Sequence, residues 1–237
     1  MKRAKLVRAT IIFILISAIV VLKLFTTVLG KPVFIYIDAL DPERSNLSFG
    51  YSFHRVDDIE GIRAYKKDLN KIKYCKNLKI LWYHGLENLT FLDNPKLEEL
   101  YIREGSDLSG LEKLSNLKVF SFWYADVSDL SYISSLSKLN DLELRTSNDL
   151  DCGNIDQLCE LERLEIFGKS LSNYQLIADL PKLSYLSIRV DNYDNFDLSF
   201  IKRSDSIKKV TLWEVPEDKQ QSIIEEFEGS GIEVKFI

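Results

Sequence analysis

Histidine and cysteine, which often perform catalysis or hold metals, are scarce in this 237-residue sequence. Its two histidines, His54 and His84, lie far apart and lack metal-ligand spacing. Neither a G-x-S-x-G motif nor a glycine-rich phosphate loop occurs. Three cysteines, Cys75, Cys152 and Cys159, form no C-x-x-C pair, so they indicate neither a zinc site nor a disulfide framework. We therefore expect no enzyme, no metal and no other cofactor.

A net positive charge is confined to the N-terminus. The whole chain has a formal net charge of −5, and the first 30 residues carry five positive charges and no acid. The remainder therefore carries −10, which argues against a nucleic-acid partner because such proteins present a basic face. It argues equally against a domain that lies on anionic lipid.

The N-terminal residues 1–30 predict a cytoplasmic tail and a transmembrane signal anchor. Four basic residues precede an apolar run over residues 9–30: Lys2, Arg3, Lys5 and Arg8. Twenty-two residues can cross a bilayer core of about 30 Å, and basic flanks stay in the cytoplasm. We expect a single-pass protein of the cell membrane with the rest of the chain outside. A cleaved signal peptide is the alternative, and the protein would then be secreted.

One phrase, LxxLxL with substitutions, recurs through most of the chain. Eight residues open a copy of it: Ile59, Leu78, Leu97, Leu117, Leu139, Leu161, Leu183 and Ile207. The central four copies are 22 residues apart, and such a period predicts a solenoid. Alternation within LxL predicts a short strand, and stacked copies would pair their strands into a parallel sheet. We number positions within each repeat from its opening residue.

The segments between strands have a period of three. Leu108, Leu111, Leu114 and Leu117 illustrate it. Because residues i and i+3 eclipse in a 3₁₀ helix, this spacing favours 3₁₀ segments over amphipathic α-helices, which are the alternative.

These repeats resemble the leucine-rich repeat family, in the short class typified by the bacterial internalins. The resemblance covers residues 59–215 and implies an α/β solenoid. In that horseshoe a parallel sheet lines the concave face, which is the usual binding surface, and short 3₁₀ or irregular segments form the convex side. Family members carry an asparagine at position 9, and this chain has other residues there: Leu86, Gly105, Ala125, Ser147, Lys169 and Asp191. We therefore expect a degenerate member with a less regular turn after each strand.

Flanking segments predict caps at both ends of the solenoid. Residues 31–58 form the first, a small β cap, in which residues 33–37 alternate and 48–53 read as a second strand. Residues 216–237 form the second, a helix over 217–228 followed by a strand. In that helix we expect Ile223, Ile224 and Phe227 to share one face.

The cysteines fit the repeat pattern as packing residues. Cys75 and Cys152 occupy slots that leucines fill in other repeats, so we expect both in the core. Cys159 should point outward. A disulfide between Cys152 and Cys159 stays open as an alternative.

Acidic residues on neighbouring strands are the nearest approach to a catalytic group. Glu143 and Glu165 share position 5, about 5 Å apart, with Asp141 beside them. Such carboxylates could divide acid and base roles or hold a cation. Arg145 and Arg163 lie in the same patch, however, which favours a cross-strand charge lattice.

Positions 3, 5 and 7 should project from the concave face, and positions 5 and 7 carry the candidate ligand-binding residues: Trp82, Tyr101, Arg103, Trp123, Arg145, Phe167, Arg189 and Trp213. Tryptophan, tyrosine and arginine dominate binding hot spots, which predicts a protein or peptide ligand. A carbohydrate or cell-wall ligand that stacks on the rings is the alternative, and rings that only shield the sheet are another. At position 7, arginines alternate with rings from Arg103 to Trp213, so each interior guanidinium should lie beside two rings.

Overall fold

The computed structural model describes residues 27–28, 31–32, 34–41, 44–86 and 88–237. Most of the predicted membrane segment, residues 9–26 and 29–30, lies outside these described residues. Its Thr27–Val28 is a two-residue strand that pairs antiparallel with Lys31–Pro32. Within the described part of the chain, no helix has the length and apolar character needed to span a bilayer.

An eleven-stranded sheet organises the molecule, and its central eight strands come from the eight repeats. In chain order they are Gly61–Tyr65, Ile80–Leu86, Glu99–Gly105, Val119–Ala125, Asp141–Thr146, Arg163–Phe167, Tyr185–Arg189 and Lys209–Leu212. Each pairs in parallel with the next, and equivalent positions lie opposite one another, as Leu142 and Leu164 do. The predicted solenoid and its register are therefore confirmed.

The core runs along the inside of the solenoid as one continuous hydrophobic cluster. Positions 1, 4 and 6 supply it. In the fifth repeat, Leu139 and Leu142 are fully buried and Leu144 is 3% exposed. Burial of one such side chain is worth roughly 1.5–3 kcal/mol, so the repeated phrase accounts for most of the driving force for stacking.

The segments opposite the sheet are short 3₁₀ helices, as the period of three predicted. Five of them fall in successive repeats: Leu111–Lys113, Ser131–Ile133, Ile155–Gln157, Tyr174–Asp179 and Ser199–Arg203. A parallel strand pair, Asp149–Asp151 with Ser170–Ser172, lies between strand and 3₁₀ helix in the fifth and sixth repeats. Two further 3₁₀ turns, Val56–Asp58 and Lys66–Asp68, and a helical turn, Leu69–Ile72, flank the first strand.

The turn after each strand takes two forms. Position 8 has a positive φ in four repeats, at Gly85 (77°), Glu104 (68°), Tyr124 (54°) and Glu214 (57°). Three of these residues are not glycine, and a positive φ is uncommon for them. The fifth to seventh repeats lack this left-handed residue. The turn therefore varies along the solenoid, as the missing asparagines led us to expect.

Each edge of the repeat sheet is extended by non-repeat strands. At the N-terminal edge, Phe34–Asp41 and Arg44–Arg55 form an antiparallel pair, and the former pairs antiparallel with Gly61–Tyr65. At the other edge, the helix Glu217–Phe227 leads to the strand Glu233–Phe236, which pairs in parallel with Lys209–Leu212.

One detail of the C-terminal helix was predicted wrongly. Ile223 and Phe227 are buried, but Ile224 is 49% exposed. Residues i and i+4 share a face of a helix, whereas consecutive residues point about 100° apart.

The cysteines are packing residues. Cys75 and Cys152 are fully buried, Cys159 is exposed, and all three are free, so the alternative of a Cys152–Cys159 disulfide is not realised. Burial raises the pKa of the Cys75 and Cys152 thiols to about 12, which keeps them protonated and unreactive.

Candidate binding surface on the concave face

Position 7 forms a row across the strands in the predicted order. Trp123 lies opposite both Arg103 and Arg145, and Phe167 lies opposite both Arg145 and Arg189. Their exposure is lower than expected. Arg103 is exposed and Trp123 half-buried, but Phe167 is only 7% exposed because its neighbours cover the ring. The row is therefore in register but is not a uniform line of exposed rings.

An aromatic cluster occupies the N-terminal half of the concave face. Trp82 and Tyr101 stack with ring centroids 4.3 Å apart and planes 18° apart, and Trp123 meets Trp82 edge-to-face at 6.5 Å. Tyr65 and His84 stack at 5.0 Å on the adjoining row. Together these rings surround a cavity of about 220 Å³, which we call the aromatic pocket. Its lining residues are Arg63, Tyr65, Trp82, His84, Tyr101, Ile102, Arg103, Ser121 and Trp123.

Two indole nitrogens of this pocket have no hydrogen-bond partner. They are Nε1 of Trp82 and Nε1 of Trp123, and both atoms are buried. A buried donor without a partner costs about 1–3 kcal/mol, so the pocket holds unmet hydrogen-bonding capacity. The indole of the third tryptophan, Trp213, donates instead to Oγ of Ser187 at 2.9 Å.

The faces of the pocket rings are largely covered. Trp82 has Tyr101 against its ring and the Arg63 guanidinium over it at 5.9 Å. Tyr65 likewise has His84 against it and the Lys67 ammonium at 5.9 Å. These rings therefore present mainly their edges to a ligand.

Positive charge lies on one side of the pocket, at Arg63 and Arg103. On the other side burial, the hydrogen bond to Glu99 and the charges of Glu99, Asp141 and Glu143 raise the pKa of Tyr101. The pKa of His84 is lowered, first by burial and then by the charges of Arg103 and Arg63, although Glu104 opposes the shift. His84 is therefore neutral at neutral pH, and the net charge of the lining comes from its two arginines.

A charge lattice lies beside the aromatic pocket, as the sequence predicted. Nε of Arg145 donates to Oε1 of Glu143 at 2.6 Å, and Arg145 also lies 3.7 Å from Glu165. Arg163 pairs with Glu165 and lies 3.8 Å from Asp141. Each carboxylate thus has an arginine partner, which fits an electrostatic lattice better than a pair of acid and base catalysts. Among the described residues, no cluster of three potential metal ligands occurs.

Within this lattice, Asp141 is a carboxylate whose charged form is disfavoured by its surroundings. Burial raises its pKa to about 6, although the positive charge of Arg163 opposes the shift, and the charges of Glu165 and Glu143 add to it. Ionisation of Asp141 therefore destabilises the folded state.

Arg145 meets the expectation for an arginine between two rings. Its guanidinium carbon lies 5.8 Å from the centroid of Trp123 and 4.5 Å from that of Phe167. Arg189 does not meet it, because its guanidinium pairs with Glu214 at 2.7 Å and with Asp191 at 3.4 Å. The predicted ladder of alternating contacts is therefore wrong at Arg189.

The last ring of the row folds back over the sheet. Trp213 packs against Phe167 with centroids 5.5 Å apart, although the two lie two repeats apart. A wide groove of about 880 Å³ runs past these rings at the C-terminal ends of the strands.

Several surface residues were missing from the predicted site. Arg63, Tyr65 and His84 stand at positions 5 and 7 of the early repeats, so the repeat register itself could have identified them. Tyr124, 65% exposed, lies under the guanidinium of Arg103 at 5.2 Å. Tyr124 comes directly after the position-7 residue Trp123, at position 8, where the backbone φ is positive, and no sequence signal marks it. Tyr185, with Arg163 at 4.2 Å, is a further example at position 3.

Parallel strands on one side and 3₁₀ segments on the other define this protein as a leucine-rich repeat solenoid. Its structure is similar to that of internalin C2 from Listeria monocytogenes, with a TM-score of 0.58, 19% sequence identity, and coverage of 77% of this chain and 82% of that one. A second internalin of that organism, inlF, gives a TM-score of 0.51 at 18% identity over 72% of this chain. The match spans 52% of inlF, about half its length. The chain thus has the internalin-type fold that the resemblance implied.

No protein-family model matches the chain, and no curated protein is significantly similar to it.

Proposed function

We propose that this protein is a binding module that recognises a protein or peptide through its concave face. The observation that carries the proposal is the aromatic pocket, in which two buried indole donors lack partners. Half-buried tryptophans beside arginines are typical of interface hot spots. The internalin-type fold supports the same surface, because a curved parallel sheet offers a long concave face.

A carbohydrate ligand is less well supported. Three rings do gather at one spot, as a sugar site requires. A sugar would need a free ring face to stack on, however, and Trp82 is already covered by Tyr101 and Arg63. It would also need acceptors for its hydroxyl groups, and no aspartate or glutamate lines the aromatic pocket.

We further propose that residues 9–30 tether the module to the cell membrane and that the repeats lie outside the cytoplasm. This part of the proposal rests on the sequence alone, through the four basic residues before the apolar run.

Site-specific photo-crosslinking in intact cells tests the binding role. A photoreactive phenylalanine analogue replaces Tyr124 or Arg189, which both line the groove along the concave face, and the matched control replaces Tyr132 in a 3₁₀ helix on the opposite side. We expect one discrete crosslinked protein from the concave positions and none from Tyr132. The proposal fails if crosslinking is confined to Tyr132 or if the concave positions give no discrete product.

A further inference from the structure

We propose that the aromatic pocket binds a carboxylate group of the partner, an acidic side chain or a C-terminal carboxylate of a peptide. This inference rests on the proposed role of the concave face in peptide recognition and specifies which chemical group that face selects.

The free hydrogen-bonding groups of the pocket are mainly donors. An indole N–H and a guanidinium can only donate. Two lining hydroxyl groups are already engaged, because Ser121 donates to Oε2 of Glu143 at 2.7 Å and Tyr101 donates to Oε2 of Glu99 at 2.9 Å. Besides His84 and the hydroxyl of Tyr65, which can each donate or accept, what is left for a ligand is the pair of unpartnered indole N–H groups and the guanidinium of Arg103. A ligand that satisfies them must bring acceptors.

The charge of those acceptors should be negative. Arg103 is exposed, and its nearest carboxylate oxygen, on Glu104, is 3.9 Å away. Arg63 covers a face of Trp82 and lies opposite Asp38 on the neighbouring strand. We therefore expect it to attract an anion electrostatically and not to donate a hydrogen bond to it. No acidic residue lines the cavity, whereas the chain beyond residue 30 carries −10. The side of the cavity formed by Arg63 and Arg103 is therefore locally positive on an acidic protein, and such a site selects an anion.

The dimensions favour a small group on a peptide. About 220 Å³ holds roughly seven water molecules, enough for a carboxylate and its adjoining carbons. Aromatic edges around the cavity suit those carbons. Both indole nitrogens are buried, so we expect a small rotation of the Trp82 and Trp123 rings to bring their N–H groups onto the carboxylate oxygens.

Indole ¹⁵N–¹H resonances of the full-length chain, labelled at tryptophan and purified in detergent, report this contact directly. The chain has three tryptophans. Trp82 and Trp123 are the reporters, and Trp213, whose N–H is already bonded to Ser187, is the internal control. Trp82→Phe and Trp123→Phe assign the signals.

Four probes distinguish charge and its source. N-acetylglutamic acid amide is compared with N-acetylglutamine amide, and N-acetylphenylalanine with its C-terminal amide. We expect saturable downfield shifts of the Trp82 and Trp123 signals with the acids, at millimolar concentration as befits single small groups. The amides should produce no such shifts, and Trp213 should stay unmoved. The tighter of the two acids identifies a side chain or a chain terminus as the source.

Arg103→Gln should weaken binding of the better acid about tenfold, the usual effect of losing one charge-assisted hydrogen bond, and Arg103→Lys should recover part of it. The inference is overturned if no acid moves either reporter, if the amides act equally, or if Trp213 shifts as much. Such a result combined with discrete crosslinking from Arg189 would leave the concave-face binding role standing and remove only the carboxylate.

Discussion

Nε1 of Trp213 donates a hydrogen bond to Oγ of Ser187, 2.9 Å away, and thereby fixes the last ring of the concave row. Ser187 is fully buried beneath it. The bond turns the indole toward Phe167, while Arg189 turns to the carboxylate of Glu214. The hydroxyl of Ser187 therefore helps to hold the Trp213 ring against Phe167 at the C-terminal end of the surface.

Ser187→Ala should lower the free energy of unfolding by about 1–2 kcal/mol, because the indole N–H loses its partner. Chemical denaturation measures the effect. Trp213→Phe and the double variant complete a cycle, in which we expect a coupling of about 0.5–1.5 kcal/mol. Strictly additive costs would mean that the bond does not form in solution.

Leu164→Ala should lower the free energy of unfolding by about 2–5 kcal/mol, since Leu164 is fully buried between Leu142 and Leu186 and the change leaves a cavity that both adjacent repeats border. The matched control is Ile224→Ala on the C-terminal helix. Ile224 is 49% exposed, so its loss should change stability by less than about 0.5 kcal/mol. A loss below about 1 kcal/mol for Leu164→Ala would contradict the register.

Much of the fold could be predicted because stacking depends on a short, repeated pattern. Leu142 and Leu164 share position 4, and burial of one against the other requires the strands to pair in parallel and in register. The spacing of Leu108, Leu111 and Leu114 likewise left room only for a narrow return segment. Neither inference depends on where an individual side chain turns.

The side-chain contacts of the concave face could not be predicted, because they do depend on where individual side chains turn. The predicted contact with two rings is present at Arg145, whereas the guanidinium of Arg189 pairs with Glu214 instead. Glu214 reaches it from a backbone with φ of 57°, a conformation that the sequence does not announce for glutamate. At the strand ends, such turns determine which partner a long side chain contacts, and the period of the repeat does not.

Asp141→Asn should stabilise the protein above pH 6 and have little effect near pH 4. The pKa of Asp141 is raised from its usual value to about 6, so the folded state binds a proton more tightly than the unfolded state. Its contribution is therefore favourable below the unfolded pKa and is lost as the pH rises through about 6. Because the side chain is 36% exposed, we expect a gain of only about 1 kcal/mol.

Urea denaturation of wild type and Asp141→Asn from pH 4 to pH 8 measures this difference. Asp149→Asn, at a carboxylate that is 67% exposed, is the control for a surface substitution and should change stability by less than about 0.5 kcal/mol. An advantage of Asp141→Asn that shrinks as the pH rises would contradict the assignment.

The proposed topology predicts that protease added to intact spheroplasts digests the repeat domain, because the basic residues before residues 9–30 should hold the N-terminus in the cytoplasm. Immunoblotting with an antibody to the repeats measures the digestion, and a cytoplasmic protein that stays intact is the control. Protection of the repeats would reverse the orientation. Intact repeats in the medium would indicate a cleaved signal instead of an anchor.

Trp123 and Arg145 should be central to the ligand footprint, since they join the aromatic pocket to the ring of Phe167. We expect Trp123→Ala with Arg145→Ala to reduce crosslinking from the Arg189 position at least tenfold, because hot-spot residues each contribute about 2 kcal/mol or more.

Stability must be separated from binding in this experiment, because Arg145 also neutralises Glu143, whose side chain is only 17% exposed. Adding Glu143→Gln removes the charge that Arg145→Ala would leave unpaired, and Glu165 keeps Arg163 as its partner, so the triple variant should have a higher Tm than the double variant and remain folded. Tyr132→Ala, on the opposite side of the solenoid, removes an exposed ring of comparable kind and should leave both crosslinking and Tm unchanged. If crosslinking survives in a folded triple variant, Trp123 and Arg145 lie outside the footprint, and the ligand must contact the concave face elsewhere.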